Sequence, residues 1–255
     1  MDLNREYHRW HSPNLGRDME MLVFGHAGAK VLVFPTRAAR FDEYESLRIV
    51  DTLRDRIDAG EMQLFCVDSI DAESFYADWV RPEDRVVRHL QYERYLIDEV
   101  LPFMHRRNDN PVTIAHGCSM GAFHAANLAF RHPHRFQKLV AFSGRYDPTL
   151  SVESFRDLLD GHRDEKVFAN SPVKYLPYVR GWRLRALRRM EIVLVIGRED
   201  PFLENNYRLS QILTTLGVPH TLEEWDERAH RGYYWRRMAP AYLRGLTREP
   251  ERLAS

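Results

Sequence analysis

Gly117-Cys118-Ser119-Met120-Gly121 is the stretch on which the reading of this chain turns. It is a G-x-S-x-G pentapeptide, and its flanks give it meaning. Before it, Val112 to His116 is a short apolar run of strand type, and from Ser119 to Arg131 the chain reads as helix. A serine on a very tight strand-to-helix turn needs neighbours that approach without a Cβ clash, which glycines two before and two after supply. The hydroxyl then stands clear of the strand, and the backbone N–H of Met120 points to where an oxyanion would develop. In any other setting the same five residues are a glycine-lined turn with a bystander serine.

Outward from this turn, short apolar runs alternate with helical patterns. Lys30 to Pro35, Met62 to Val67, Lys138 to Phe142 and Glu191 to Ile196 are continuous apolar runs, the type that suits strands covered on both faces. Leu47, Val50, Leu53 and Ile57 mark one face of a helix stopped near Gly60. Pro82 opens a long amphipathic helix with Val86, Leu90, Ile97, Leu101 and Met104 on its inner face, and Pro102 predicts a kink or an early end there. Residues 150 to 190 read as short helices. Leu203 to Leu216 is a helix closed by Gly217, His220 to Trp225 a strand, and Gly232 to Leu246 a last helix. Such alternation predicts an α/β fold whose mostly parallel central sheet carries helices on both faces. The first strands, Glu6 to Ser12 and Met19 to Phe24, have no helix between them, so that edge is expected to be antiparallel. One domain over 1–246 is expected, followed by a charged tail over 247–255.

Composition narrows the classes of function. Lys plus Arg and Asp plus Glu number 37 each among 255 residues, so zero formal charge offers no general attraction to nucleic acid or to an anionic membrane. No apolar run reaches the roughly 20 residues of a membrane span, and Met1 to Glu6 holds no apolar signal core; the expected location is cytoplasmic. The two cysteines, Cys66 and Cys118, sit in or beside apolar runs and are expected to be buried rather than bridged or metal-bound.

A serine hydroxyl needs a base, usually a histidine held by a carboxylate, and a nucleophile of this kind precedes its acid and then its histidine along the chain. Gly197-Arg198-Glu199-Asp200-Pro201 follows a later strand and makes Asp200 the preferred acid, with Glu199 and Glu204 as rivals. Of 12 histidines, His230 is selected by position, after the last strand and before the last helix. His116 is expected inside the sheet and His124 on the helix after the serine, and Asp226 is expected to close the last strand. A second oxyanion donor is expected in Pro35 to Arg40, from the N–H of Arg37 or Ala38. Arg37 and Arg40 either give that loop a positive potential toward an acidic substrate or are merely solvated. Phe202, Tyr146 and Trp235 are candidate lining residues, against the alternative that they are core.

Beyond the pentapeptide, several segments fall in a familiar order: Val31 to Thr36, Leu64 to Ser69, Gly117 to His124, Phe130 to Pro133, Gly197 to Phe202 and His230 to Trp235. With these, the chain resembles the "Putative esterase" family of the α/β-hydrolase fold, the group that includes esterase D and the mycobacterial mycolyltransferase antigens. The resemblance implies a Ser–Asp–His triad acting on esters, with Ser119 matching the nucleophile, Asp200 the acid, His230 the base and Met120 the oxyanion-hole residue. Two departures stand out. Arg37-Ala38-Ala39-Arg40 replaces a small or glycine-rich stretch, and Arg231-Gly232 replaces an acidic residue and a tryptophan. The expected function is hydrolysis of a small-molecule carboxylic ester through an acyl-enzyme, with no cofactor and no metal. Acyl transfer to an alcohol and a non-catalytic binding protein of the same fold are the alternatives, and a homo-oligomer is compatible with either.

Overall fold

The computed structural model describes residues 4–244. The expected tail, 247–255, and the end of the expected last helix lie outside the described residues. Eight strands among them form one sheet: β1 (Arg5–Ser12), β2 (Arg17–Phe24), β3 (Ala29–Phe34), β4 (Met62–Val67), β5 (Thr113–Cys118), β6 (Lys138–Phe142), β7 (Glu191–Gly197) and β8 (Thr221–Trp225). Their spatial order is β1-β2-β4-β3-β5-β6-β7-β8. β1 pairs antiparallel with β2 and β2 with β4, whereas every pairing from β4 to β8 is parallel. Burial follows from position. Every residue of β3, β4, β5 and β6 is buried, while β1 alternates as an edge strand does. β2 and β3 follow one another in sequence but are not paired, because β4 lies between them.

Helices cover both faces. The segment expected as one helix is two, α1 (Glu43–Ser46) and α2 (Ile49–Asp58), because Arg48 adopts a left-handed conformation at φ 58°. Val50, Leu53 and Ile57 are fully buried as expected, and Leu47 sits half-buried at the joint. The long helix also departs from expectation. α3 (Pro82–Tyr95) runs into a π turn over Leu96–Val100 and continues as α4 (Leu101–Arg107). Pro102 has no N–H to donate and its ring crowds the preceding turn, so one widened turn absorbs the misfit and the helix does not end. The inward face passes to Leu96 and Val100, leaving Leu90 and Ile97 half-buried, and it includes the polar Arg85, His89 and Glu93.

α5 (Met120–Arg131) follows the serine. Residues 150–190 hold α6 (Glu165–Ala169), α7 (Pro172–Tyr175) and α8 (Gly181–Leu187), short helices as read. α9 (Leu203–Thr215) and α10 (Gly232–Tyr242) complete the set. One core layer gathers Tyr92, Leu96, Ala122, Phe130 and Leu209 against the sheet, and the opposite layer gathers Ile49, Leu53, Trp235 and Met238. Both cysteines are free and buried, and burial pushes both thiols above their ordinary range. No helix among the described residues is long and apolar enough to cross a membrane.

Candidate active site

β5 ends in the pentapeptide, where backbone packing is too close for side chains. A Cβ on Gly117 would lie 2.4 Å from the carbonyl of Gly121, and one on Gly121 would lie 2.3 Å from Phe34 O. Between them Ser119 adopts φ 54° and ψ −117°, a conformation that L residues reach only when surrounding structure enforces it. The enforcement is visible: Ser119 N–H donates to Phe142 O at 2.8 Å, extending the β5–β6 ladder by one step. Met120 opens α5, so its N–H has no partner within that helix. Ala38, Ser143 and Ala229 also have positive φ and stand on loops that converge here.

The histidine and the acid come from the ends of β8 and β7. Asp200 is buried; its N–H donates to Gly197 O at 3.0 Å, and its Oδ1 accepts from Phe202 N–H at 2.9 Å. His230 Nδ1 lies 2.7 Å from Asp200 Oδ2, and His230 Nε2 lies 2.9 Å from Ser119 Oγ. A carboxylate only accepts, so Nδ1 carries the proton, and the lone pair of Nε2 is turned to the serine hydroxyl. The rivals are elsewhere. Glu199 and Glu204 are exposed, and Asp226, 88% exposed, pairs with Arg198 at 2.8 Å. His116 is buried in the sheet, bonded to Tyr44 Oη and to Val140 O. His124, on α5, pairs with Asp71 at 2.8 Å.

Above the serine lies a cavity of about 280 Å³. Ser119, Met120 and His230 form its floor, and Phe155, Phe202 and Trp235 give it an apolar side. The imidazole of His230 sits among those three rings, with centroids 5.7 to 6.2 Å away. Of the expected lining residues Phe202 and Trp235 are present. Tyr146 is not; it is fully buried in the core behind β6.

The loop after β3 separates its two arginines. Arg37 lines the cavity with Thr36, whereas Arg40 turns away to Glu20 and Asp68. Within the loop, Thr36 N–H donates to Glu43 at 2.7 Å and Ala38 N–H to Asp71 at 3.4 Å, while the N–H of Arg37 has no partner among the described residues. At Gly232, the second departure, a Cβ would lie 2.8 Å from Leu47 Cδ2, the movable end of a half-buried side chain at the α1–α2 joint.

The sequence reading missed Tyr76, Arg145 and Phe155. Arg145 lies three residues beyond the end of β6, the strand beside β5. Sites in open α/β sheets form beyond the C-terminal ends of the strands, a rule that points to the loop carrying Arg145 but not to the residue within it. Among the described residues no three His, Cys, Asp or Glu side chains are grouped to hold a metal ion.

The profile of the family described as "Putative esterase" matches residues 40–239. No curated protein sequence matches the chain. A solved ferulic acid esterase is 19% identical, with 97% of this chain and 99% of that chain covered and a TM-score of 0.76. An S-formylglutathione hydrolase from Agrobacterium tumefaciens is 17% identical over 96% and 98%, with a TM-score of 0.75. FphF, a fluorophosphonate-binding serine hydrolase of Staphylococcus aureus, is 14% identical over 98% and 100%, with a TM-score of 0.73. Identities this low show a shared fold, the α/β-hydrolase fold.

Proposed function

The chain belongs to the "Putative esterase" family and is a carboxylic ester hydrolase, and from that premise we propose that it works through an acyl-enzyme on Ser119, with His230 as base and Asp200 as the acid that holds it. The observation that carries this reading is the position of His230, 2.9 Å from the serine hydroxyl and 2.7 Å from a buried carboxylate. Ser119 Oγ attacks the ester carbonyl carbon while its proton passes to His230 Nε2. Asp200 keeps Nδ1 protonated and steadies the imidazolium. The tetrahedral oxyanion is held by the N–H of Met120 and the N–H of Arg37. The C–O bond to the leaving alkoxide then breaks, and the proton on Nε2 goes to that oxygen, releasing an alcohol. Water next gives a proton to Nε2 as its oxygen attacks the acyl carbon. Collapse frees the acid and returns the proton to Ser119 Oγ. The sum is ester plus water to acid plus alcohol.

Fluorophosphonate labelling, read by intact mass beside Ser119→Ala, tests the proposal. One adduct on the native chain and none on the variant is expected. A folded native chain that takes no adduct overturns it and favours the non-catalytic reading.

A further inference from the structure

One wall of the cavity carries two arginines, Arg145 and Arg37, with no carboxylate among the described residues within ion-pair distance of either. Arg145 is 3% exposed. Its Nε donates to Asp147 O at 3.2 Å, and its Nη2 to Pro148 O at 3.1 Å, to Arg156 O at 2.6 Å and to Leu150 O. Its other side-chain partner is the Tyr76 hydroxyl, and both groups border the cavity. The two carboxylates whose charge it feels are engaged elsewhere: Asp147 lies 3.3 Å from Lys174 Nζ, and Asp157 lies 2.7 Å from Arg163 Nη2. Carbonyl oxygens satisfy N–H donors but cancel no charge, and a buried charge without a counter-charge is costly. Burial accordingly pushes the Arg145 guanidinium below the ordinary arginine range.

The second charge is Arg37. Its guanidinium lies 5.5 Å from the centroid of the Tyr76 ring, a cation–π contact that keeps it at the cavity, and no carboxylate among the described residues is within ion-pair distance. Arg40, three residues on, shows the contrast, since it is paired twice. Phe202, whose ring centroid lies 5.7 Å from the Arg145 guanidinium, and Phe155 add apolar surface suited to a short carbon chain.

We propose that Arg145, Arg37 and Tyr76 form an anion subsite, so that the preferred ester carries a carboxylate on the group occupying the cavity. The inference rests on the reading of Ser119 as the nucleophile, and it deepens that reading by naming a substrate class. A carboxylate there supplies the missing counter-charge and accepts charge-assisted bonds from planar donors.

The test compares kcat/KM for matched anionic and neutral esters on the whole protein. Aryl half-esters of succinic and glutaric acid are set against aryl butyrate and valerate. Acetylated hydroxybenzoate is set against its methyl ester, so that a charge on either side of the scissile bond is sampled. At least a tenfold preference for the anionic member of one pair is expected, shrinking as sodium chloride rises. Arg37→Gln should cut that ratio about tenfold, and Arg37→Lys should restore part of it; Arg37 is exposed, so neither change threatens folding. Neutral esters preferred in both pairs, or a preference undiminished in Arg37→Gln, overturns the subsite. Fluorophosphonate labelling of the same samples separates the two failures. Labelled enzyme that prefers neutral esters loses the anion wall alone, and unlabelled enzyme loses the nucleophile with it.

Discussion

Two histidine–aspartate pairs are held at almost the same distance. His230 and Asp200 meet at 2.7 Å, His124 and Asp71 at 2.8 Å, and both aspartates are buried. They differ at the other ring nitrogen. His230 Nε2 faces Ser119 Oγ and a cavity, whereas His124 Nδ1 is enclosed with no partner among the described residues. His124 is packed by His89, Phe123 and Tyr92, with ring centroids 5.3 to 5.5 Å away. A buried carboxylate on an imidazole is thus common to the proposed base and to a histidine enclosed in the core. Of the two, only His230 presents its second nitrogen to a hydroxyl.

The same change made in both pairs breaks or sharpens this contrast. Asp200→Asn should lower kcat about 10⁴-fold by favouring the wrong tautomer of His230. Its melting temperature should stay within a few degrees of the native value; a fall in kcat of less than tenfold would remove Asp200 from the mechanism. Asp71→Asn should do the reverse. It weakens a buried charge-assisted bond, costing about 1–3 kcal/mol, or a melting shift of roughly 3–10 °C in a chain of this size. Its kcat should fall less than tenfold, through the Ala38 N–H that Asp71 also receives. A 10³-fold fall in kcat would place the second pair in the reaction.

A pH series extends the comparison to two further buried histidines, His89 against the closed pair and His116 within the sheet. Burial pulls His89 down to about 3, with the nearby His124 adding to the effect, and burial pulls His116 down to about 4. An unfolded histidine titrates near 6.5, so between that value and these the unfolded chain binds more protons than the folded one. The stability held above pH 6.5 should thus be lost steadily as pH falls toward 4, read as a falling urea midpoint. His89→Gln should flatten the slope. A midpoint constant from pH 7 to 4.5 would contradict the burial of these rings. The smallest expected effect is at the open pair's border. Trp235→Phe removes the 3.3 Å bond from its Nε1 to Ser143 Oγ, for about 0.5–1.5 kcal/mol of stability and less than a threefold change in kcat.

Much of this contrast was legible in the chain. Gly117 and Gly121 announced the tight turn because backbone contacts as close as theirs demand glycine, and Asp200 and His230, which lie in line with Ser119, were selected by where they follow strands. The parallel sheet and its antiparallel edge followed from continuous apolar runs and from missing helices. Other features depend on residues far apart in sequence. Arg48 breaks its helix through a conformation that no local preference requires. Pro102 signalled a misfit, but whether a helix ends or widens is decided by what packs around it. Arg145 bore no pattern of its own, because its partners are main-chain carbonyls, which carry no sequence identity. The buried His124–Asp71 pair joins residues 53 positions apart; the sequence places His124 on its helix, but nothing in it singles out Asp71 among 37 acids as its partner.

The two cysteines have a practical consequence. Both are buried, with their thiols held in the unreactive protonated form, and Cys118 sits immediately before the serine. Thiol alkylation therefore acts as a clock on the opening of the central strands: β4 through Cys66 and β5 through Cys118. The rate at which Cys118 is modified reports how often the backbone that holds Ser119 in its strained turn lets go.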